Sequence, residues 1–350
     1  MREGKNLIGV DIGSSSIKVC QLRETRKSYT LVNFGYAPLP PQAIVDGQVM
    51  DGNMVADTLQ QIWRAARISQ KEVSLGVSGQ SAIIRKITVP MMTQAELEEQ
   101  IQWEAEQHIP FDIKDVQVDY QVLKRNQEAS QMELLLVAAK RDQINDYAQL
   151  ARDARLKPVV CDIDAFSIQN LFELSRGLPP DRTVALINIG ANLTSLNIIS
   201  NGISAFTREI ANGGHVISEQ VQKQLGIPFE LAEAYKCGTA DSPTPPQVAQ
   251  IVDSAADGIA AEIQRSLDFF MATSGDSDIA RIYVTGGTSK IATLSQAIER
   301  RARVPVEVWA PTERLTIDSK RVDTSLLGAH APQLAVALGL ALRKEKEVRA

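Results

Sequence analysis

Residues 8–22 read IGVDIGSSSIKVCQL and residues 185–199 read ALINIGANLTSLNII; the two align without a gap at an offset of 177 residues. Asp11 falls on Asn188, Gly13 on Gly190 and Ile17 on Thr194. Each stretch runs from an apolar strand through an acid or amide, a glycine and a short polar turn into a second strand, which is the pattern of a β-hairpin. A long-period duplication of this kind predicts two similar lobes with a cleft between them. Glycine at 13 and 190 lets backbone amides approach a phosphate closely, and successive amides in such a turn make an anion nest. Ser14, Ser15 and Ser16 add hydroxyl donors, and Lys18 adds a positive charge for a phosphate oxygen. Asp11, at the strand end, suits a Mg2+-bound water, because Mg2+ keeps several waters and uses few carboxylates. One such hairpin alone reads equally well as a plain tight turn; the pair carries the inference.

Two further stretches fit the same cleft. Residues 282–291, IYVTGGTSKI, pass from a strand through a double glycine into a helix start. Gly286 and Gly287 would let an adenine or ribose lie against backbone, and a helix N-terminus favours negative charge. In AEAYKCG (232–238), Glu233 and Lys236 stand one helical turn apart, spaced to clasp a ribose.

Outward from these stretches, strands and helices alternate, which predicts the α/β class. Residues 7–22 and 31–37 read as strands, 53–67 as a helix with Leu59, Ile62 and Trp63 on one face, and 73–78 and 82–89 as strands around the turn SGQS (78–81). Thr93 with Glu96 makes a capping-box pattern, after which Leu97, Ile101, Ala105 and His108 share one helical stripe and Trp103 falls opposite. Pro110 ends that helix. Strands follow at 116–123 and 132–138, joined by KRNQEASQ, then a helix over 141–155. GLPPDR (177–182) reads as a linker. In the second half, helices are predicted over 215–225, 229–236, 248–273, 290–302 and 332–343, and strands over 184–189, 280–285 and 305–308.

Several residues have two readings. Trp103 packs under another element or faces a partner. Ile109 and Phe111, with Pro110 between them, pack a turn or line a groove. His108, Cys20 and Cys161 read as buried core groups.

Composition narrows the function. Of 350 residues, 44% are hydrophobic and 23% charged, as in soluble globular chains. A formal net charge of −5 argues against general nucleic-acid binding. The three cysteines are widely separated and show no zinc-type spacing. No apolar run reaches the ~18 residues of a membrane span, so work at a membrane would go through a partner.

The hairpin pair, the double glycine and the order of elements resemble the actin-like ATPase superfamily, which includes actin, FtsA and the heat-shock chaperones. VDIGSSSIKVCQL, WEAEQHIPF (103–111) and CDIDAFSIQNLFEL (161–174) resemble the PilM family of type IV pilus assembly proteins. The resemblance implies duplicated RNase H-like lobes with an FtsA/PilM-type insert. Its boundaries would be 1–78 for the first lobe, 79–157 for the insert, 158–182 for the return and linker, 183–212 for the start of the second lobe, 213–278 for its outer subdomain, 279–331 for the return, and 332–350 for a closing helix and tail.

The resemblance also implies an ATP and Mg2+ site. Asp11, Gly13, Ser14, Ser15 and Lys18 would form the first phosphate loop, and Asn188, Gly190, Asn192 and Thr194 the second. Gly286, Gly287 and Ser289 would hold adenosine, Glu233 and Lys236 the ribose and base side, with Gly213 and Gly214 lining the cleft. Asp162, or in second place Asp164, would orient the attacking water. Asn188 departs from the usual Asp, and losing one such electrostatic contact costs ~3–4 kcal/mol of transition-state stabilisation in other enzymes. Slow or negligible ATP hydrolysis is therefore expected. Relatives bind the N-terminal cytoplasmic peptide of the inner-membrane protein PilN and act with PilO and the pilus motor ATPases. That implies a cytoplasmic adaptor, peripheral to the inner membrane, with Trp103, Ile109 and Phe111 as partner-binding residues and self-association left open. The competing readings are an FtsA-like polymerising division adaptor and a small-molecule kinase.

Overall fold

Residues 4–26, 28–45, 47–78, 82–178, 180–274 and 278–345 are described in a computed structural model of the chain. Most of the SGQS turn, Pro179 of the predicted linker and most of the tail lie outside those residues.

Both quoted stretches fold as hairpins in the same register. Ile8–Ile12 pairs antiparallel with Ser16–Glu24, Asp11 opposite Lys18; Thr183–Ile189 pairs with Thr194–Ser200, Asn188 opposite Ser195. Each hairpin is extended by a third antiparallel strand, Tyr29–Pro38 in the first sheet and Ile203–Ile210 in the second. On the other side each first strand pairs parallel with Glu72–Val77 or Ile279–Thr285, and these in turn with Lys157–Ile163 or Val306–Val308. The two sheets thus share one strand order, third-second-first-fourth-fifth, and the first gains a sixth strand, Thr316–Ile317, on its outer edge.

The sheets meet on a common apolar core. Leu31 and Phe34 of the first sheet, Leu171 and Phe172 of the helix Asp164–Arg176, Leu186 and Ile199 of the second sheet, and Trp309 belong to one buried cluster. Phe172 meets Trp309 edge-on at 5.3 Å. The helix Ala335–Leu340, all six residues buried, completes this cluster. The predicted single helix over 332–343 is in fact Thr324–His330, a 3-10 turn Ala331–Leu334 and this short helix. Side chains of both lobes are therefore fixed in one core.

A third sheet, in the order Ala82–Pro90, Gln131–Lys140, Val116–Asn126, carries the helix Gln94–His108. Thr93 caps that helix as predicted: the Glu96 amide donates to Thr93 Oγ1 at 3.3 Å and the Thr93 amide to Glu96 Oε2 at 2.8 Å. Leu97, Ile101 and Ala105 are buried on one stripe. His108 is exposed, against expectation, because the helix stops there and Ile109, turning extended, takes the buried position. Cys161 is exposed too, while Cys20 is buried.

Candidate functional site

In the first hairpin, Lys18 Nζ lies 3.1 Å from Asp11 Oδ2, both side chains nearly buried. A Cβ at Gly13 would stand 2.9 Å from that ammonium, so the bare glycine admits the lysine head beneath the turn. The Gly13 amide donates to Ser16 O at 3.1 Å, and the Leu39 amide pins the turn by donating to Ser15 O at 2.8 Å. Ser14 and Ser15 are partly exposed, whereas Ser16 is fully buried.

The second hairpin is wired into two other elements. Gly190 O accepts the Gly214 amide at 2.9 Å and the Thr288 hydroxyl at 2.8 Å, and Ala191 O accepts the His215 amide at 2.8 Å. A side chain at Gly213 would meet Ala191 O at 2.6 Å, so the helix Gly214–Leu225 can begin against the turn only from a glycine. Thr194 spends its hydroxyl on Asn212 O at 2.8 Å. Asn192 is partly exposed at the turn.

The double glycine closes on the same point. Gly286 sits at φ +92°, where side chains are strained, and a Cβ there would lie 2.4 Å from Ile189 O and 2.6 Å from Asn188 Oδ1. Gly287 faces Gln333, and the buried Ser289 donates to Gly286 O at 2.7 Å, holding the loop from within. Lys236 and Glu233 pair with each other at 2.6 Å, and Lys236 also donates to Gly214 O at 3.0 Å. Burial opposes the charge of Glu233, but the attraction of Lys236 and hydrogen bonds from Lys236, Ser218 and Cys237 hold its carboxyl below the ordinary value. The hydroxyls of Thr194 and Ser289 and the ammonium of Lys236 are thus engaged inside the protein, and their contribution is to shape the cleft.

The acidic residues need one reassignment. Asp162 accepts the Ile163 amide at 2.8 Å and the Ser167 hydroxyl at 3.3 Å, with Arg343 Nε at 3.5 Å, and is thus engaged by its own helix start and the closing segment. Asp164, placed second on sequence grounds, lies over Gly76, where a Cβ would stand 2.1 Å from its Oδ1, and is within reach of the charge of Asp11. Burial, and then the charges of Asp11 and of Glu209 from the second lobe, push its carboxyl well above the ordinary value against the pull of Ser78 and Lys18. The residues suit a Mg2+ ion shared with a phosphate: the acids press on one another, a repulsion a divalent cation relieves, while no three possible ligands among the described residues come close enough to hold an ion themselves. Sequence reasoning passed over Glu209, Tyr36 and Gln333. Strand register could have found Tyr36, which lies opposite Lys18.

Of the predicted partner residues, Trp103 is 62% exposed, which excludes the core reading. Ile109 is a core residue, 6% exposed, and not a groove residue. Phe111 is partly covered, with Lys140 Nζ 4.8 Å above its ring. A cavity of about 300 Å3 lies between the helix Gln94–His108 and the edge strand Val116–Asn126, lined by Ile101, Gln102, Val116, Val118, Tyr120 and Arg141 among others. Trp103 does not line it, being about 200° around the helix from Ile101.

Two lobes of one strand order, joined by a common core and opening at paired hairpins, define an actin-like fold. Over residues 9–345 the chain matches the family model of type IV pilus assembly protein PilM, and it belongs to that family. The solved PilM–PilN type IV pilus biogenesis complex contains a chain 27% identical to this one, with a TM-score of 0.86 and 98% and 99% of the two chains covered. The ethanolamine utilization protein EutJ from Carboxydothermus hydrogenoformans shares the fold at 15% identity and a TM-score of 0.58, over 96% of this chain and 89% of that one. MreB 5 of Spiroplasma citri, solved bound to AMPPNP, shares it at 14% identity and a TM-score of 0.50, over 96% and 95%. No helix among the described residues is long and apolar enough to cross a membrane.

Proposed function

We propose that this type IV pilus assembly protein is a nucleotide-binding adaptor: its cleft takes ATP, and its insert takes the N-terminal cytoplasmic segment of PilN at the inner membrane. PilO and the pilus motors would be reached through that partner. The observation that carries the nucleotide reading is the meeting of the second hairpin, the double glycine and the helix start at Gly214 around one point, with the first hairpin repeating the second in register. In this reading the Ser14–Ser15 and Ala191–Asn192 amides bind phosphates, the Gly13 and Gly190 amides closing the turns onto Ser16 O and Leu193 O, and Lys18 leaves Asp11 to pair with a phosphate oxygen. Asp11 would hold Mg2+ through its waters, and the ion would supply charge neutralisation. Asp164, rather than Asp162, orients a water for attack. Asn188 brings no negative charge to the second hairpin, so turnover is slow. Gly286 and Gly287 give adenosine a bare backbone wall, and Glu233 and Lys236 border it as an ion pair.

Support for PilN as partner comes from family membership and from the likeness to the PilM–PilN complex. Extended segments bind by adding hydrogen bonds to an edge strand and filling side-chain pockets, and Val116–Asn126 is such an edge beside a cavity. Titration calorimetry with the PilN N-terminal peptide, with and without Mg-ATP, tests both halves. One-to-one saturation is expected, tighter with Mg-ATP; no binding in either state would remove the partner, and binding indifferent to ATP would uncouple cleft from insert.

The exposed Trp103 supports a second contact on the insert, since Trp is enriched among residues that dominate binding energy. Trp103→Ala is expected to weaken the peptide about tenfold, ~1.4 kcal/mol, with the melting temperature unchanged. Val118→Arg, which fills the cavity, tests the groove in the same assay. Loss with Val118→Arg alone would leave Trp103 outside the PilN site.

A further inference from the structure

Asp11, Lys18 and Tyr36 stand directly opposite one another on three adjacent strands of the first sheet. Directly opposed residues share a face, so Tyr36 continues the Asp11–Lys18 row along the cleft. Its ring is stacked on His330, with centroids 3.7 Å apart and planes at 20°. His330 ends the helix Thr324–His330, and the residues around it are tied to the double-glycine loop of the other lobe. Pro332 O accepts the Thr285 hydroxyl and the Gly286 amide, both at 2.8 Å. Lys290 Nζ donates to Ala329 O, and Gln333 packs 3.5 Å from where a Gly287 side chain would start. His330 is thus the link between the first phosphate hairpin and the adenosine loop. Its Nδ1 is closed to solvent and has no hydrogen-bond partner among the described residues.

The surroundings are positive. Burial first, then the charges of Lys290 and Lys18, hold the imidazole below its ordinary pKa, with a hydrogen bond to Gln333 opposing them. The phenol of Tyr36 is the titratable group stacked on the ring face. The site therefore favours the neutral ring, with two lysine charges set against its protonation.

We propose that His330 is a proton-linked member of the nucleotide site: when a nucleoside polyphosphate occupies the cleft, part of its negative charge is matched by a proton that His330 takes from solvent. The inference rests on the nucleotide reading above. Phosphate oxygens drawn to Lys18 and Lys290 cancel the positive field at the ring and favour the imidazolium. The Tyr36 face then holds a cation, a contact that is itself attractive. Through this stack the charge state of the phosphates in one lobe's hairpin reaches the loop that holds adenosine in the other.

The chain has only three histidines, His108, His215 and His330, so selective ring labelling gives three NMR titration curves. His330 is assigned by the loss of one curve in His330→Gln, and exposed His108 on the insert is the internal control. In the free protein His330 is expected to titrate below its ordinary value. With saturating AMPPNP and Mg2+ its proton affinity rises about tenfold or more, while His108 is unmoved. Calorimetry in buffers of different ionisation enthalpy then gives more proton uptake for the wild type than for His330→Gln, a comparison that cancels protons exchanged by the nucleotide. Tyr36→Phe keeps the stack and the linkage; Tyr36→Leu diminishes both. Binding of AMPPNP with an unmoved His330 curve overturns the proposal and leaves the nucleotide site standing. Absence of AMPPNP binding at millimolar concentration overturns both.

Discussion

Gly339→Ala is expected to be the most damaging single-methyl substitution in the chain. The helix Ala335–Leu340 is clamped between backbones: a Cβ at Gly339 would lie 1.9 Å from Ser167 O, and one at Gly9 of the first strand 2.0 Å from Ala337 O. Both obstacles are carbonyl oxygens of regular elements, so no side chain can rotate away. The helix must lift from the helix Asp164–Arg176 or from the sheet, and either movement opens the cluster that joins the two lobes. Overpacking against movable side chains costs ~1–3 kcal/mol; against backbone on both sides the cost lies at or above the top of that range. At ~1–2 °C per kcal/mol for a chain of this size, a cost of ~3 kcal/mol lowers the midpoint by about 3–6 °C, and nucleotide-dependent stabilisation falls with it, because the cleft rests on this core. Gly328→Ala is the control. Nothing lies within 4 Å of that position, and it is in a helix, so alanine there is neutral or gains ~0.5–1 kcal/mol. A Gly339→Ala protein that melts within about 1 °C of wild type, against an expected fall of about 3–6 °C, would show that the helix is not seated as described.

The repeat was legible because the features that define a hairpin are local. An acid or amide, a glycine and a polar turn between apolar runs occur twice at one offset, and the strands pair with Asp11 opposite Lys18 and Asn188 opposite Ser195, residues related by that same offset. The capping box at Thr93 is local too, and formed as expected. What sequence left open depends on where a chain changes direction. Asp162 and Asp164 would share a face in a continuing strand, but the strand ends at Ile163 and the helix starts at Asp164, which sets the second carboxylate over Gly76 within reach of the charge of Asp11 and leaves the first with Ser167. His108 left its stripe for a similar reason, the helix ending beneath it. The strand Ile203–Ile210 was overlooked because only Ser204 and Ile210 are buried, so alternation is weak at a sheet edge. Glu209 and His330 were invisible because their importance comes from elements far apart in sequence.

Asp164→Asn is expected to stabilise the free protein, and to do so only above acidic pH. The folded-state pKa of Asp164 is raised well above its ordinary value, by burial first and then by the charges of Asp11 and Glu209. Between the ordinary value and the raised one, the folded state binds more protons than the unfolded state, so stability from this group falls as pH rises through that window. Below the ordinary value the carboxyl is protonated in both states and costs nothing. Above the raised value the full penalty is present, because an ionised Asp164 faces two other carboxylates. Asparagine keeps the shape and the capacity to hydrogen-bond with Ser78 while removing the charge. The two proteins should therefore melt together near the ordinary carboxylate pKa, and the variant should melt higher at pH 8, by roughly 1–2 °C for each kcal/mol relieved. Paired thermal scans from pH 4 to pH 8 test this directly. An Asn variant that melts no higher than wild type at pH 8 would mean that Lys18 already neutralises the cluster. Mg-ATP should narrow the difference between the two proteins, since a cation beside Asp11 relieves in the wild type the same repulsion that the substitution removes. A stabilised variant that still binds Mg-ATP but no longer releases phosphate would separate the two parts of this carboxylate's behaviour: a charge that weakens the empty cleft, and an acceptor that orients water in the filled one.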